Sequence, residues 1–241
     1  VHFASNAAPS TRAMKEKTMK QFTIKLIAAC AILSSAGGAF YAHAREGVEV
    51  CGNSNLARLL PATQVEQAAQ QQYGQLLEQA RAQGALAPDN HPQVVRLRTI
   101  SQKIVPFATE WNPRAKAWVW EVNLIGSQEI NAFCMPGGKI AFYTGILDEL
   151  KLTDDEIAMI MGDEVAHALR EHARERMAKN VATRAGASLL SGLLGLGGAG
   201  DALVNMGGQL LTMRFGREDE SEADLVGMEL AARAGFNPQA G

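Results

Sequence analysis

The sequence predicts an α+β fold that is mostly helical, and three observations carry this expectation. Residues Thr153 to about Ala178 read as one long helix: Thr153 and Glu156 form a capping box, Asp154 and Asp155 occupy the electropositive first turn, and Ile157, Ile160, Met161, Val165, Ala168 and Leu169 recur at helical spacing. Between Trp118 and Asn123 the period changes to two, with Trp118, Trp120 and Val122 alternating with Val119, Glu121 and Asn123. Two short apolar runs, Ile130 to Phe133 and Ile140 to Tyr143, flank a Met135-Pro136-Gly137-Gly138-Lys139 turn. A small sheet set among helices satisfies all three.

Taken in order, residues 1–44 read as upstream sequence and a secretory signal. Lys15, Lys17, Lys20 and Lys25 precede a small and apolar run from Leu26 to Tyr41, which ends in Ala42-His43-Ala44, an A-x-A cleavage site. Ile27-Ala28-Ala29-Cys30 resembles a lipoprotein box, so membrane association through this segment or through lipidated Cys30 stays open. Either route exports the protein, and a periplasmic location is expected. Residues 45–93 form an N-terminal helical region whose helix opens on a Thr63-x-x-Glu66 capping box and runs to about Arg81, with Leu76 and Leu77 on one side. After the loop Ala87 to Pro92, a second helix turns Val94, Val95, Leu97, Ile100 and Ile104 inward until Pro106. Residues 94–241 form the main domain. In it a short helical piece from Gly145 to Leu152 leads into the long helix. The apolar, glycine-heavy stretch 185–211 is expected to form two short buried or interfacial helices. A last helix runs from about Glu218 to Ala234 and stops at Gly235, with Pro238 beyond.

The 241 residues are enough for a real core, and a net charge of −2 with scattered Lys and Arg gives no nucleic-acid footprint. After signal cleavage Cys51 and Cys134 remain. They form either a disulfide, worth about 4–5 kcal/mol by loop closure, or two unpaired thiols, and sequence leaves both open.

The chemistry centres on Asp163-Glu164-Val165-Ala166-His167. Four residues correspond to about 400° of helical rotation, so Asp163 and His167 share a side, with Glu164 about 100° round. This is the geometry of HExxH, two zinc-binding histidines and a glutamate general base, but with aspartate at the first position. By the same arithmetic His172, about 140° from His167, points elsewhere. The last helix repeats the four-residue spacing in Glu220 and Asp224. Read alone, that run is a solvated acidic face.

These residues resemble the family-48 zinc metallopeptidases of the gluzincin type, which include HtpX-like and BepA- or LoiP-like bacterial proteases. The resemblance rests on Asn131 to Ile140, Tyr143 to Leu147, Glu156, "GDEVAHALREHARER" and "REDESEADLVGMELAARAGFNP", in order from about Val94 to the C-terminus. It implies a zincin-like α+β fold with a small mixed sheet and one Zn2+ per chain. It further implies His167 and Glu220 as metal ligands, Glu164 as general base, and Asp224 as support for a ligand histidine. Asn131, Ala132 and Phe133 would be the edge strand that receives an extended polypeptide substrate. Unfolded or envelope proteins are the substrate class it suggests. Asp163 stands where the family has a histidine. It can ligate through oxygen, but its shorter reach and added charge predict weak metal binding and reduced turnover. The pattern also suggests an incomplete C-terminus. One alternative keeps the fold as a catalytically inactive, chaperone-like polypeptide binder. A helicase reading of Asp163 to His167 as a DExH box fails, because no GxxxxGK[ST] loop accompanies it.

Overall fold

The computed structural model describes residues 47–52, 55–181, 210 and 213–240. The signal segment, Cys30 and most of the glycine-heavy stretch lie outside the described residues. Three strands, β1 (Glu121–Ile125), β2 (Ala132–Met135) and β3 (Lys139–Tyr143), form a mixed sheet of order β1-β3-β2. β1 runs parallel to β3, with Val122 opposite Ile140, and β2 pairs antiparallel to it, with Cys134 opposite Ile140. Gly137 and Gly138, at φ of 89° and 78°, make the turn between β2 and β3. A Cβ at Gly138 would also collide with the Trp120 ring.

Alternation along the strands sorts two cores. Val122, Leu124, Ala132, Cys134, Ile140 and Phe142 face one side, toward α2 (Pro92–Ile104) and α4 (Asp154–Leu169), while Ile125, Met135 and Ala141 face the other, with Tyr73 and Ala80 of α1 (Ala62–Ala82). The result is three layers: α1, the sheet, and a helical layer completed by α5 (Arg217–Arg233). A short helix, α3 (Thr144–Leu150), connects β3 to α4 and ends on Lys151 in the left-handed region at φ 51°. Among the described residues no helix is long and apolar enough to cross a membrane.

The mostly helical α+β expectation is met, three local ones are corrected, and the state of the two cysteines, which the sequence left open, is decided. α1 starts at Ala62 behind Pro61 without a side-chain cap, because Glu66 is engaged elsewhere: its carboxylate accepts from Arg114 Nε (2.9 Å), Arg114 Nη2 (2.6 Å) and Trp118 Nε1 (2.9 Å). Val95 is exposed rather than inward, since only Val94, Leu97, Ile100 and Ile104 fall on the buried face of α2. Cys51 and Cys134 are free thiols, one exposed and one buried under the sheet. The long helix is broken. The Thr153–Glu156 capping box forms as expected, but α4 ends at Leu169, Glu171 adopts φ 60°, and helix resumes over residues 172–181. That left-handed residue redirects the axis, and the chain beyond it is no longer in phase with α4.

α4 and α5 cross in backbone contact. A Cβ built on Gly162 would lie 2.5 Å from the Gly227 carbonyl oxygen, and one on Gly227 would lie 2.5 Å from the Asp163 nitrogen. Two glycines facing one another let the helices approach closely enough to set Asp163 beside the acidic face of α5.

Candidate metal and active site

A cleft of about 760 Å³ opens beside β2, lined by Asn131 to Pro136 of the edge strand, by Asp163, Glu164 and His167 of α4, and by Phe215 and Glu220. α4 reaches it because its apolar face, Ile157, Met161, Val165 and Leu169, is fully buried in the core, which leaves the 163–164–167 side toward the opening. α5 contributes Glu220 from its first turn, behind an Asp219 carboxylate that accepts the Gly216 N–H (3.0 Å).

His167, 5% exposed, is the hub. Its Nε2 stands 3.7 Å from Asp163 Oδ2 and 3.9 Å from Glu220 Oε2. Its ring stacks on Phe215 with centroids 4.2 Å apart and planes at 19°. On the other side its Nδ1 lies 2.9 Å from Nδ1 of His172, whose Nε2 lies 2.8 Å from Glu222 Oε2. His172 therefore points at His167 and not away from it. The expectation assumed an unbroken helix, and the turn at Glu171 removes that premise.

Glu164 receives the Cys134 backbone N–H, which ties the carboxylate to the edge strand. Asn131 and Met135 turn their carbonyls toward β3, accepting from Tyr143 N (3.1 Å) and Gly138 N (3.2 Å). Strand alternation then directs the N–H and C=O groups of Ala132 and Cys134 to the outer side, where no further strand lies among the described residues. Phe133 meets Tyr73 and Tyr143 edge-on on the α1 face of the sheet.

The electrostatics follow from crowding. Burial, then the charges of Asp224 and Glu220, push the Asp163 carboxyl up to about 7. Burial and the neighbouring Asp163 charge push Glu164 up to about 8, against the Cys134 N–H, which lowers it. Burial, with His172 next to it, brings His167 down to about 4. Asp224 is exposed and acts on Asp163 through its charge, whereas the hydrogen-bond partner of His167 is His172.

Among the described residues no three His, Cys, Asp or Glu side chains form a finished metal site. The donor chemistry of His167, Asp163 and Glu220 nevertheless fits a divalent cation. Three lone-pair donors converge, and Asp163 Oδ1 is buried without a hydrogen-bond partner. Separations of 3.7 and 3.9 Å leave the set slightly open.

Helical spacing pointed to Asp163, Glu164 and His167, the family resemblance to Glu220 and to Asn131, Ala132 and Phe133, and all of them line one cleft. Neither pointed to His172, Glu222 or Phe215. "ALREHARER" reads as continuous helix at every position, and no turn residue marks Glu171.

Comparison with known proteins adds a family. The profile of Peptidase family M48 matches residues 94–241. Mitochondrial metalloendopeptidase OMA1 of Arabidopsis thaliana is 37% identical over 120 residues, 50% of this chain and 24% of its own length. Metalloprotease LoiP of Escherichia coli K12 is 26% identical over 167 residues, 68% of this chain and 62% of its own. The Beta-barrel assembly-enhancing protease of Escherichia coli O157:H7 is 30% identical over 127 residues, 48% of this chain and 26% of its own. The chain spans less than two thirds of the length of each.

Proposed function

Because this chain belongs to peptidase family M48, we propose that it is a zinc-dependent metalloendopeptidase acting on polypeptides, with His167, Glu220 and Asp163 as the metal-holding residues. The observation that carries this is the convergence of those three donors beside Glu164 in a cleft bordered by an edge strand. Zinc, when bound, supplies Lewis acidity toward the peptide carbonyl and makes water easier to deprotonate.

The residues of the chain supply the rest. An extended substrate pairs with the outward N–H and C=O of Ala132 and the outward C=O of Cys134, which holds its backbone along β2. Glu164, anchored by the Cys134 N–H, takes the proton from the attacking water and returns it to the departing amine nitrogen. Burial raises the affinity of this carboxylate for a proton, which favours its taking one from water. Asp224 faces position 163, where a histidine would take its hydrogen bond; facing a carboxylate instead, it adds repulsion, so metal binding is weakened.

The relative named as a beta-barrel assembly-enhancing protease supports envelope polypeptides as substrates, and the signal-like segment before residue 45 supports the periplasm as location. The same aspartate favours a second reading, a polypeptide binder that holds its clients without cleaving them. Zinc per chain, measured by elemental analysis on the protein and on Asp163→His, tests between them, alongside hydrolysis of an unfolded protein. Close to one zinc with cleavage supports the peptidase. An empty protein beside a loaded Asp163→His supports the binder, and two empty proteins refute the ligand set.

A further inference from the structure

We infer that His172 and Glu222 are positioning residues that fix the tautomer of His167, leaving its Nε2 lone pair bare and aimed at Asp163 and Glu220. The chain of hydrogen bonds can be followed from its fixed end. An ionised Glu222 only accepts, and it already accepts from Arg170 Nη2 on Oε1 (2.9 Å). Its other oxygen, 2.8 Å from His172 Nε2, therefore takes the N–H of that nitrogen. With the Arg170 guanidinium neutralising Glu222, a second positive charge on His172, 2% exposed, would be buried without compensation. An imidazole that gives its one proton to Glu222 through Nε2 presents Nδ1 as an acceptor.

The 2.9 Å contact between the two Nδ1 atoms then needs one proton, and His167 supplies it. A neutral imidazole with its proton on Nδ1 has none on Nε2. Phe215, stacked on the ring, holds it in the plane that keeps both contacts. Arg170 also donates to the Cys51 carbonyl, so the far end of the relay is itself anchored.

The arrangement needs the break at Glu171. Two histidines five positions apart on one helix face different directions, and only the left-handed residue between them brings their Nδ1 atoms together. The consequence for metal affinity rests on the peptidase reading, but the tautomer does not.

The test is a long-range proton–nitrogen correlation spectrum of the full chain with 15N-labelled histidine, metal-free, the His167 signals being assigned by their loss in His167→Gln. A proton on Nδ1 of His167 is the expected result; a proton on Nε2 would overturn the relay. In His172→Phe, which keeps a ring in the space and removes both nitrogens, His167 should revert to the Nε2–H form. Retention of the Nδ1–H form there would overturn it equally. Zinc affinity, read by competition with a chromophoric chelator, should fall roughly 10- to 100-fold in His172→Phe and recover in part in His172→Gln, whose amide oxygen can accept the same proton. An unchanged affinity contradicts the proposal. A chain that binds no zinc at all would count against the peptidase reading alone, because the tautomer is read without metal.

Discussion

Asp163 is held against the charges of Asp224 and Glu220 in a partly dry cleft, and its raised pKa has a consequence for folding. A carboxyl whose folded value is about 7 against an ordinary 3.8 favours the fold while protonated, and that contribution is lost as pH rises from about 4 through 7. Glu164, at about 8, acts in the same direction over a slightly higher window. His167 acts oppositely: lowered to about 4, it supports the fold above its ordinary 6.5 and loses that support as pH falls toward 4. Asp163→Asn removes the first effect and, with it, the charge that helps raise Glu164, two changes of the same sign. In chelator, the variant's thermal midpoint relative to the parent should rise steadily from pH 4 to pH 8, and a difference independent of pH would contradict the assignment. At this scale the sequence was readable wherever i, i+4 arithmetic applied, as for Asp163 with His167. It was unreadable at His172, because the arithmetic assumes a continuous helix and a single residue at φ 60° ends one.

Among the elements, the α4–α5 crossing is the most sensitive joint. Gly162→Ala would place a methyl 2.5 Å from the Gly227 carbonyl, and neither backbone can yield without separating the helices. Overpacking of this kind costs about 1–3 kcal/mol, and the midpoint of denaturant unfolding should fall accordingly. Because the same joint sets Asp163 beside Glu220, zinc affinity should drop in the same variant. A variant with lowered stability and unchanged affinity would detach the crossing from the site. The caps at Thr153–Glu156, the Gly137-Gly138 turn and the stop at Gly235 were legible because each is local chemistry. The beginning of α1 was not. Thr63 and Glu66 have capping-box spacing, but Arg114 and Trp118, some fifty positions away, claim Glu66, and no local pattern reveals that.

Across the whole molecule, α1 is fastened by two polar anchors besides its apolar face, Tyr73 to the sheet and Glu66 to the segment that precedes β1. Tyr73 Oη donates to the Ile140 carbonyl at 2.5 Å and accepts from Asn123 Nδ2 at 3.0 Å, while Glu66 grips Arg114 and Trp118. Tyr73→Phe should cost about 0.5–1.5 kcal/mol and Glu66→Ala about 1.5–3 kcal/mol, read as shifts in urea midpoint at constant slope. Ligand linkage supplies a complementary check. Zinc at 100 times its dissociation constant should add about 2.7 kcal/mol to stability, with the gain reached at lower zinc in Asp163→His than in the parent. The layered architecture was readable from period and order, whereas the fastening of its layers depends on pairs distant in sequence. Beyond the site, Arg170 and Arg174 use the corner at Glu171 to hold the earlier chain, donating to the Cys51 and Leu60 carbonyls. The corner therefore works as a reading frame. Deleting or inserting one residue between His167 and His172 would swing everything after it by about 100°. It would unhook the two carbonyl anchors and disengage His172 in the same stroke, so length variation is expected to be forbidden in this short, largely buried corner even though it contains a turn, the kind of place where chains ordinarily tolerate it best.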